Sequence, residues 1–169
     1  AIEVFNGHAG PNGYGGKTRH SSEQIWDGIL SSGKLIYGVA TDDSHHYHDF
    51  TPKMANPGRG WICVQADSLS ETSIMESIKK GDFYASTGVY LDQLDCSNNT
   101  INISIRTEDE DPLNLPEYIT TITGYEGDIL HETDSLNVNY QLPKNAHYAR
   151  ATIKSSEGFK AWTQPIFRT

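Results

Sequence analysis

The run Leu35-Ile36-Tyr37-Gly38-Val39-Ala40, followed at once by Thr41-Asp42-Asp43-Ser44-His45-His46-Tyr47-His48-Asp49-Phe50, decides how this chain is read. Its first six residues are apolar and partly β-branched, the pattern of a buried parallel strand. Two carboxylates and three imidazoles then fall within seven residues, directly where that strand ends. Carboxylate oxygen and imidazole nitrogen are the ligand set of Zn²⁺, Mn²⁺ and Fe²⁺, and cations held by them polarise bound water for hydrolysis. In Asp43-Ser44-His45 a single residue separates two candidate ligands, so in an extended segment both project to one side, toward one metal. Sites of α/β sheets and barrels are built from the loops at the carboxyl ends of the strands, which is where this cluster falls. The competing reading is an acidic, histidine-rich surface loop. His46-Tyr47-His48 has the same spacing but no strand before it, and is read as substrate-facing or exposed rather than as a second ligand pair.

Outward from the cluster, residues 1–88 alternate strand-like and helix-like stretches. Ile2-Glu3-Val4-Phe5 predicts a short strand, and Asn6 to Gly16 is a glycine-rich loop. Ser21 or Ser22 is placed to cap a helix over Glu23 to Ser31, with Ile25, Trp26, Ile29 and Leu30 on its inner face and Gly33 as its stop. Trp61 to Ala66 predicts another strand. Ser70 caps a second helix, with Ile74, Met75 and Ile78 facing inward and Lys79-Lys80-Gly81 closing it. Strand and helix in alternation predict an α/β layer. From about Leu91 the grammar changes. Ile101, Ile103 and Ile105 alternate with polar residues, and short runs follow at 118–125, 129–132, 136–141, 148–154 and 161–167, separated by turn-like groups. That spacing predicts an all-β sandwich over residues 89–169, preceded by an α/β domain over 1–88. Residues 107–116 read as an acidic, proline-bounded loop.

Composition narrows the function classes. The chain of 169 residues carries 22 acidic and 13 basic side chains, a net charge of -9, where a diffuse duplex or membrane-surface binder would present a basic face. No apolar stretch reaches the roughly 20 residues that span a bilayer. Neither nucleic acid nor membrane is therefore an expected partner. The start at Ala1 carries no secretion signal and suggests upstream sequence. Cys63 and Cys96 read as two buried thiols rather than a disulfide or metal pair. The compartment stays open, with a lean to the cytoplasm.

Several features have plain readings. The glycine-rich loop lacks a Walker-type ending and is read as a rim rather than a phosphate cradle. Lys17-Thr18-Arg19-His20 is read as a solvated turn, and Ser86 sits in no nucleophile elbow. Trp26, Trp61 and Trp162 are expected in the core.

Taken in order, Ile2-Glu3-Val4-Phe5-Asn6-Gly7, Trp26-Asp27, Tyr37 to Tyr47, Pro57-Gly58-Arg59-Gly60-Trp61 and Gly81 to Gly88 resemble the carboxyl-terminal part of a PHP (polymerase and histidinol phosphatase) domain. The similarity points to the PHP-like metal-dependent phosphoesterases, a branch that includes carboxylic ester and amide hydrolases. There a small β domain often follows, and Arg150-Ala151-Thr152 with Ala161 to Phe167 is similar to its closing pattern. The resemblance implies the last β/α units of a distorted barrel holding two or three divalent ions (Zn, Mn or Fe), with a small phosphate ester as substrate. The family's late Asp-x-His motif matches Asp43 and His45, which the resemblance makes metal ligands, with Asp43 also orienting the attacking water. Its early His-x-His pair has no match here, so an upstream segment is expected to supply the rest of the shell.

Around these two, His46 is a candidate proton shuttle or substrate contact, and His48 is a candidate substrate contact. Arg59 is either a phosphate grip or a surface partner of an acidic residue. Glu3 is expected at the floor of the site. Two function classes follow: a share of a metal-dependent phosphoesterase, or a non-catalytic fragment whose β-sandwich serves packing, oligomerisation or ligand binding.

Overall fold

The computed structural model describes residues 1–8, 14–107 and 115–168. The chain is mostly β, with antiparallel sheets and two ten-residue helices among the described residues. It begins with one parallel β-α-β unit: β1 (Ile2–Asn6), α1 (Ser22–Ser31) and β2 (Gly38–Thr41). Ser21 caps α1 through a reciprocal pair of bonds with Gln24, so the cap is Ser21 and the helix starts at Ser22. The strand expected from Leu35 starts only at Gly38, and Leu35 is exposed. Gly38 is obligatory there, because a Cβ would lie 2.7 Å from the ring of Trp26.

The second strand-helix-strand segment departs from the expected parallel layer. β3 (Trp61–Val64) leads through α2 (Glu71–Lys80) into β4 (Phe83–Ser86), and the two strands pair antiparallel with Val64 opposite Phe83. The chain re-enters the sheet at the end it left, so α2 serves as a long turn rather than a crossover. Gly81, in the left-handed conformation at φ 84°, ends the helix and makes the return immediate. Only Ser77 of α2 is buried, and Met75, expected inside, is exposed. Ile25 on α1 is likewise exposed.

The β-rich part is sandwich-like. β5 (Leu91–Ser97), β6 (Thr100–Ile105) and β9 (Asn137–Gln141) form one small antiparallel sheet. The larger sheet runs β3-β4-β11-β10-β7-β8, built with β7 (Tyr118–Thr123), β8 (Ile129–Thr133), β10 (Tyr148–Ser155) and β11 (Lys160–Thr163). The single strand expected over 161–167 is broken at Gln164-Pro165, and β12 (Ile166–Phe167) pairs separately with the start of β10. Pro165 has no N–H for the ladder, and Gln164 uses its side chain elsewhere. Residue 88, the expected boundary, lies just after β4, and the larger sheet takes strands from both sides of it. The acidic loop expected at 107–116 lies mostly outside the described residues, as does part of the glycine-rich loop.

The larger sheet is the middle layer of three. Along β10, Ala149, Ala151 and Ile153 face the small sheet, where Ile101, Ile103, Ile105 and Val138 fill the core. Tyr148, and Trp162 of β11 opposite Thr152, face the other way, packing with Val4, Trp26, Leu30 and Ala40 of the β-α-β unit. Two polar devices lock that second interface. Asp27 of α1, 5% exposed, receives Arg150 Nε and Nη2, each at 2.7 Å, and the Tyr148 hydroxyl at 3.1 Å. The guanidinium also lies 4.7 Å from the centre of the Trp26 ring. The Gln164 amide accepts from Gly38 N–H and donates to Gly38 C=O, each at 2.9 Å, in effect pairing with the first residue of β2. Cys63 and Cys96 are free and partly buried. Burial first, then the Asp95 charge, pushes the Cys96 thiol up to about 12.

Removing one partner of a buried, hydrogen-bonded ion pair leaves a charge without compensation. Asp27→Asn or Arg150→Met is therefore expected to lower unfolding free energy by about 3–5 kcal/mol in urea titrations, while Asp27→Leu combined with Arg150→Met costs much less. Acid acts on the same interface through Glu23, which accepts from Lys160 Nζ at 3.0 Å. Burial raises the Glu23 pKa, but the Lys160 ammonium and then the Arg150 guanidinium outweigh it, and the net shift is downward from 4.5. A depressed carboxyl stabilises the fold above its unfolded pKa and ceases to do so as pH falls through its folded value. The stability advantage of the native chain over Glu23→Gln should be full near neutrality and shrink below about pH 4.5 in pH-dependent denaturation.

Candidate metal centre

The site forms at the carboxyl ends of β1 and β2. Asn6, the last residue of β1, stands opposite Thr41, the last of β2, and Gly7 N–H continues the pairing to Thr41 C=O at 2.8 Å. The β1 register shifts between Glu3 and Phe5, leaving Val4 as an extra residue. Strict alternation would send Glu3 and Asn6 to opposite faces. After the bulge they meet: Asn6 Nδ2 lies 3.3 Å from Glu3 Oε2 and 3.4 Å from Asp43 Oδ2, while Thr41 Oγ1 donates to Glu3 Oε1 at 2.7 Å. Asn6 Oδ1 accepts the His8 N–H at 2.8 Å, and the His8 ring stands edge-on to that of His45 with centroids 5.5 Å apart.

Asp43 and His45 do converge, with His45 Nε2 donating to Asp43 Oδ1 at 3.1 Å. Their geometry differs from the extended one expected, because Asp43 sits at φ 46°. Aspartate tolerates this left-handed turn better than most side chains, and the turn folds the two donors together where a pleat would only align them. Both side chains are about half exposed, at 47% and 60%.

Asp42 has a different task. Its carboxylate accepts three successive backbone N–H groups, from Gly58 at 2.9 Å, Arg59 at 2.6 Å and Gly60 at 2.9 Å. Burial pushes its pKa up, yet these bonds, with the Arg59 charge, hold it below the usual carboxylate range. Asp42 thus closes the loop that runs from residue 43 to residue 60. Inside that loop His45 and His46 N–H both donate to Ala55 C=O at 2.9 Å, and buried Asn56 donates to the carbonyls of His46 and Asp49. The Ala55 N–H donates to His46 Nδ1 at 3.2 Å, which leaves the ring proton of the neutral imidazole on Nε2.

Arg59 gives Nη1 to Gly7 C=O and Nη2 to Thr51 C=O, each at 3.0 Å, bracing the loop against the end of β1. His48 is exposed on the same loop. Residues 16–20 form the expected turn, with Gly16 bridged to Arg19, and the Ser86 hydroxyl is buried and bonded to Val89 C=O at 2.7 Å.

The donor set therefore consists of one carboxylate and one imidazole held together, backed by Glu3, Asn6 and Thr41. Among the described residues no three His, Cys, Asp or Glu side chains are grouped to hold a metal ion. The pair fits a two-ligand contribution to a cation site. Nothing in the sequence marks Asn6 and Thr41 as site residues, since the bulge that assembles them has no signature in Ile2-Glu3-Val4-Phe5-Asn6. In comparisons with protein-family models, curated protein sequences and solved structures, the chain matches none.

Asp42→Asn keeps the shape but removes the charge that three N–H groups share. It should cost about 1–3 kcal/mol in denaturant titrations and speed proteolytic cleavage between residues 43 and 60, both read against the native chain.

Proposed function

We propose that this chain contributes the Asp-x-His part of the metal centre in a PHP-like phosphoesterase that hydrolyses a small phosphate ester. The observation that carries the reading is the 3.1 Å convergence of Asp43 and His45 beyond the carboxyl ends of a parallel strand pair. Divalent ions of the Zn, Mn or Fe type, when bound, supply an acidified water and polarise the ester oxygens. Asp43 and His45 provide two donors on a rigid turn. Asn6 holds the second Asp43 oxygen, and Glu3, which bonds Thr41 and Asn6, is taken in this reading as the floor of the site. Such outer contacts orient ligands and raise their affinity. In this reading His46, whose Nδ1 accepts the Ala55 N–H, is the candidate proton shuttle or substrate contact, and Arg59 keeps the loop in register with β1. The remaining ligands come, in this reading, from an upstream segment of the same protein.

Calorimetric titration with Mn²⁺ or Zn²⁺ tests the assignment. The 169-residue chain should bind with an affinity that falls at least about ten-fold in Asp43→Ala or His45→Ala and by a similar factor in Asn6→Ala. Joined to its upstream segment, it should hydrolyse an aryl phosphate in a metal-stimulated reaction that either ligand variant abolishes. Metal affinity indifferent to Asp43→Ala would leave the chain a non-catalytic module.

A further inference from the structure

Two cavities, of about 730 Å³ and 530 Å³, lie between β5 of the small sheet and the β3–β4 end of the larger one. They adjoin, because Gln65, Phe83, Leu94 and Asp95 line both, and together they form one groove. Every residue of β5, from Leu91 to Ser97, lines it. Side chains of a strand alternate between its two faces, so a wall made of consecutive residues is the edge of the strand. The opposite wall takes Cys63, Val64 and Gln65 in the same succession. Both strands end their sheets: β5 pairs only with β6, and β3 only with β4. An edge strand keeps a row of N–H and C=O groups without a sheet partner. The Leu91 N–H is taken by the Tyr84 hydroxyl at 3.0 Å, which ties the start of β5 to β4. Beyond it, the backbone groups of residues 92–97 that point away from β6 meet no protein partner among the described residues.

Charge on the walls selects what can lie there. Asp92 is paired with Arg106 at 2.6 Å, whereas the carboxylates of Asp67, Asp82 and Asp95 have no ion pair or hydrogen bond among the described residues. Lys80 is the groove's other cation, so carboxylates outnumber cations along it. Such an edge repels an acidic strand, including a second copy of this chain with its net charge of -9. We infer that the groove binds an extended basic peptide, which adds as a strand to the free edge of β5. Its main chain bonds the β5 backbone, and its alternate side chains carry lysine or arginine to the carboxylates of Asp67, Asp82 and Asp95. The seven residues of β5 offer roughly 23 Å of edge, enough for a peptide of equal length. No residue of the Asp43–His45 loop lines the groove, and the assignment stands apart from the metal reading.

The test titrates the full chain with a capped seven-residue peptide of alternating lysine and valine, followed by backbone amide NMR at low salt. Amide shifts should centre on residues 91–97, and the matching glutamate–valine peptide should not bind. Two further forms of the lysine peptide, N-methylated on odd or on even residues, separate strand addition from charge attraction. The form methylated on the side that faces β5 should bind at least about ten-fold more weakly, having lost several main-chain hydrogen bonds, while the other binds as the parent does. Asp82→Asn combined with Asp95→Asn should weaken the parent peptide about five-fold through lost exposed ion pairs. Failure of the lysine peptide to bind, equal binding of the two methylated forms, or shifts scattered over the acidic surface overturns the inference. Concentration-dependent self-association that shifts the same β5 amides without peptide also overturns it, since the occupant is then a second copy.

Discussion

The contact on which the arrangement depends is the Asp27–Arg150 pair, which joins the β-α-β unit to the larger sheet across 123 residues of chain. Two parallel strands and one helix are too small to bury a core alone, and the unit becomes stable by lying on the sheet face that carries Tyr148 and Trp162. An apolar face by itself would allow the helix to slide. A carboxylate that must meet two guanidinium nitrogens inside a dry interface permits one position, because any displacement leaves both charges desolvated and unpaired. Gln164 fixes the second strand in the same way, with its amide replacing the missing β-sheet neighbour of Gly38. Where β1 and β2 end, and hence where Asp43 and His45 stand, follows from those two contacts.

At the strand ends, neighbouring acidic residues divide the work. Asp42 is consumed by three backbone N–H groups and becomes a structural clasp, whereas Asp43, turned by its left-handed backbone, keeps its carboxylate at the surface beside His45. Charge density along the chain does not reveal that division. Each carboxylate has the same chemistry, and the difference lies in which one the Gly58-Arg59-Gly60 backbone reaches. The same loop closure commits Arg59 to carbonyl oxygens and His46 Nδ1 to the Ala55 N–H.

Much of the local structure is legible from residues in sequence. The Ser21 and Ser70 caps, the left-handed Gly81 stop and the alternation of Ile101, Ile103 and Ile105 stand as short-range chemistry dictates. Expectations fail where a residue's partner is far away in the chain. Leu35 looks like strand but lies outside it, because β2 begins only where Trp26 and Gln164 receive Gly38. The turn from β3 to β4 reads as a crossover because its helix has the right length. Antiparallel return depends on the edge of the sheet that β11 leaves open.

What the sequence by itself determined is therefore the set of elements, the two-sided pattern of the sandwich strands and the residue types that converge at one strand end. These depend on neighbours a few positions away, within reach of periodicity and capping rules. Only the tertiary structure decided that the β-α-β unit shares a sheet face with the sandwich, that a bulge at Val4 brings Glu3 and Asn6 to one side, and that Asp42 is taken up by the backbone of Gly58, Arg59 and Gly60. Each depends on hydrogen bonds and packing between residues distant in sequence, and a one-residue change of register, which leaves the residue pattern untouched, reverses which side chains meet.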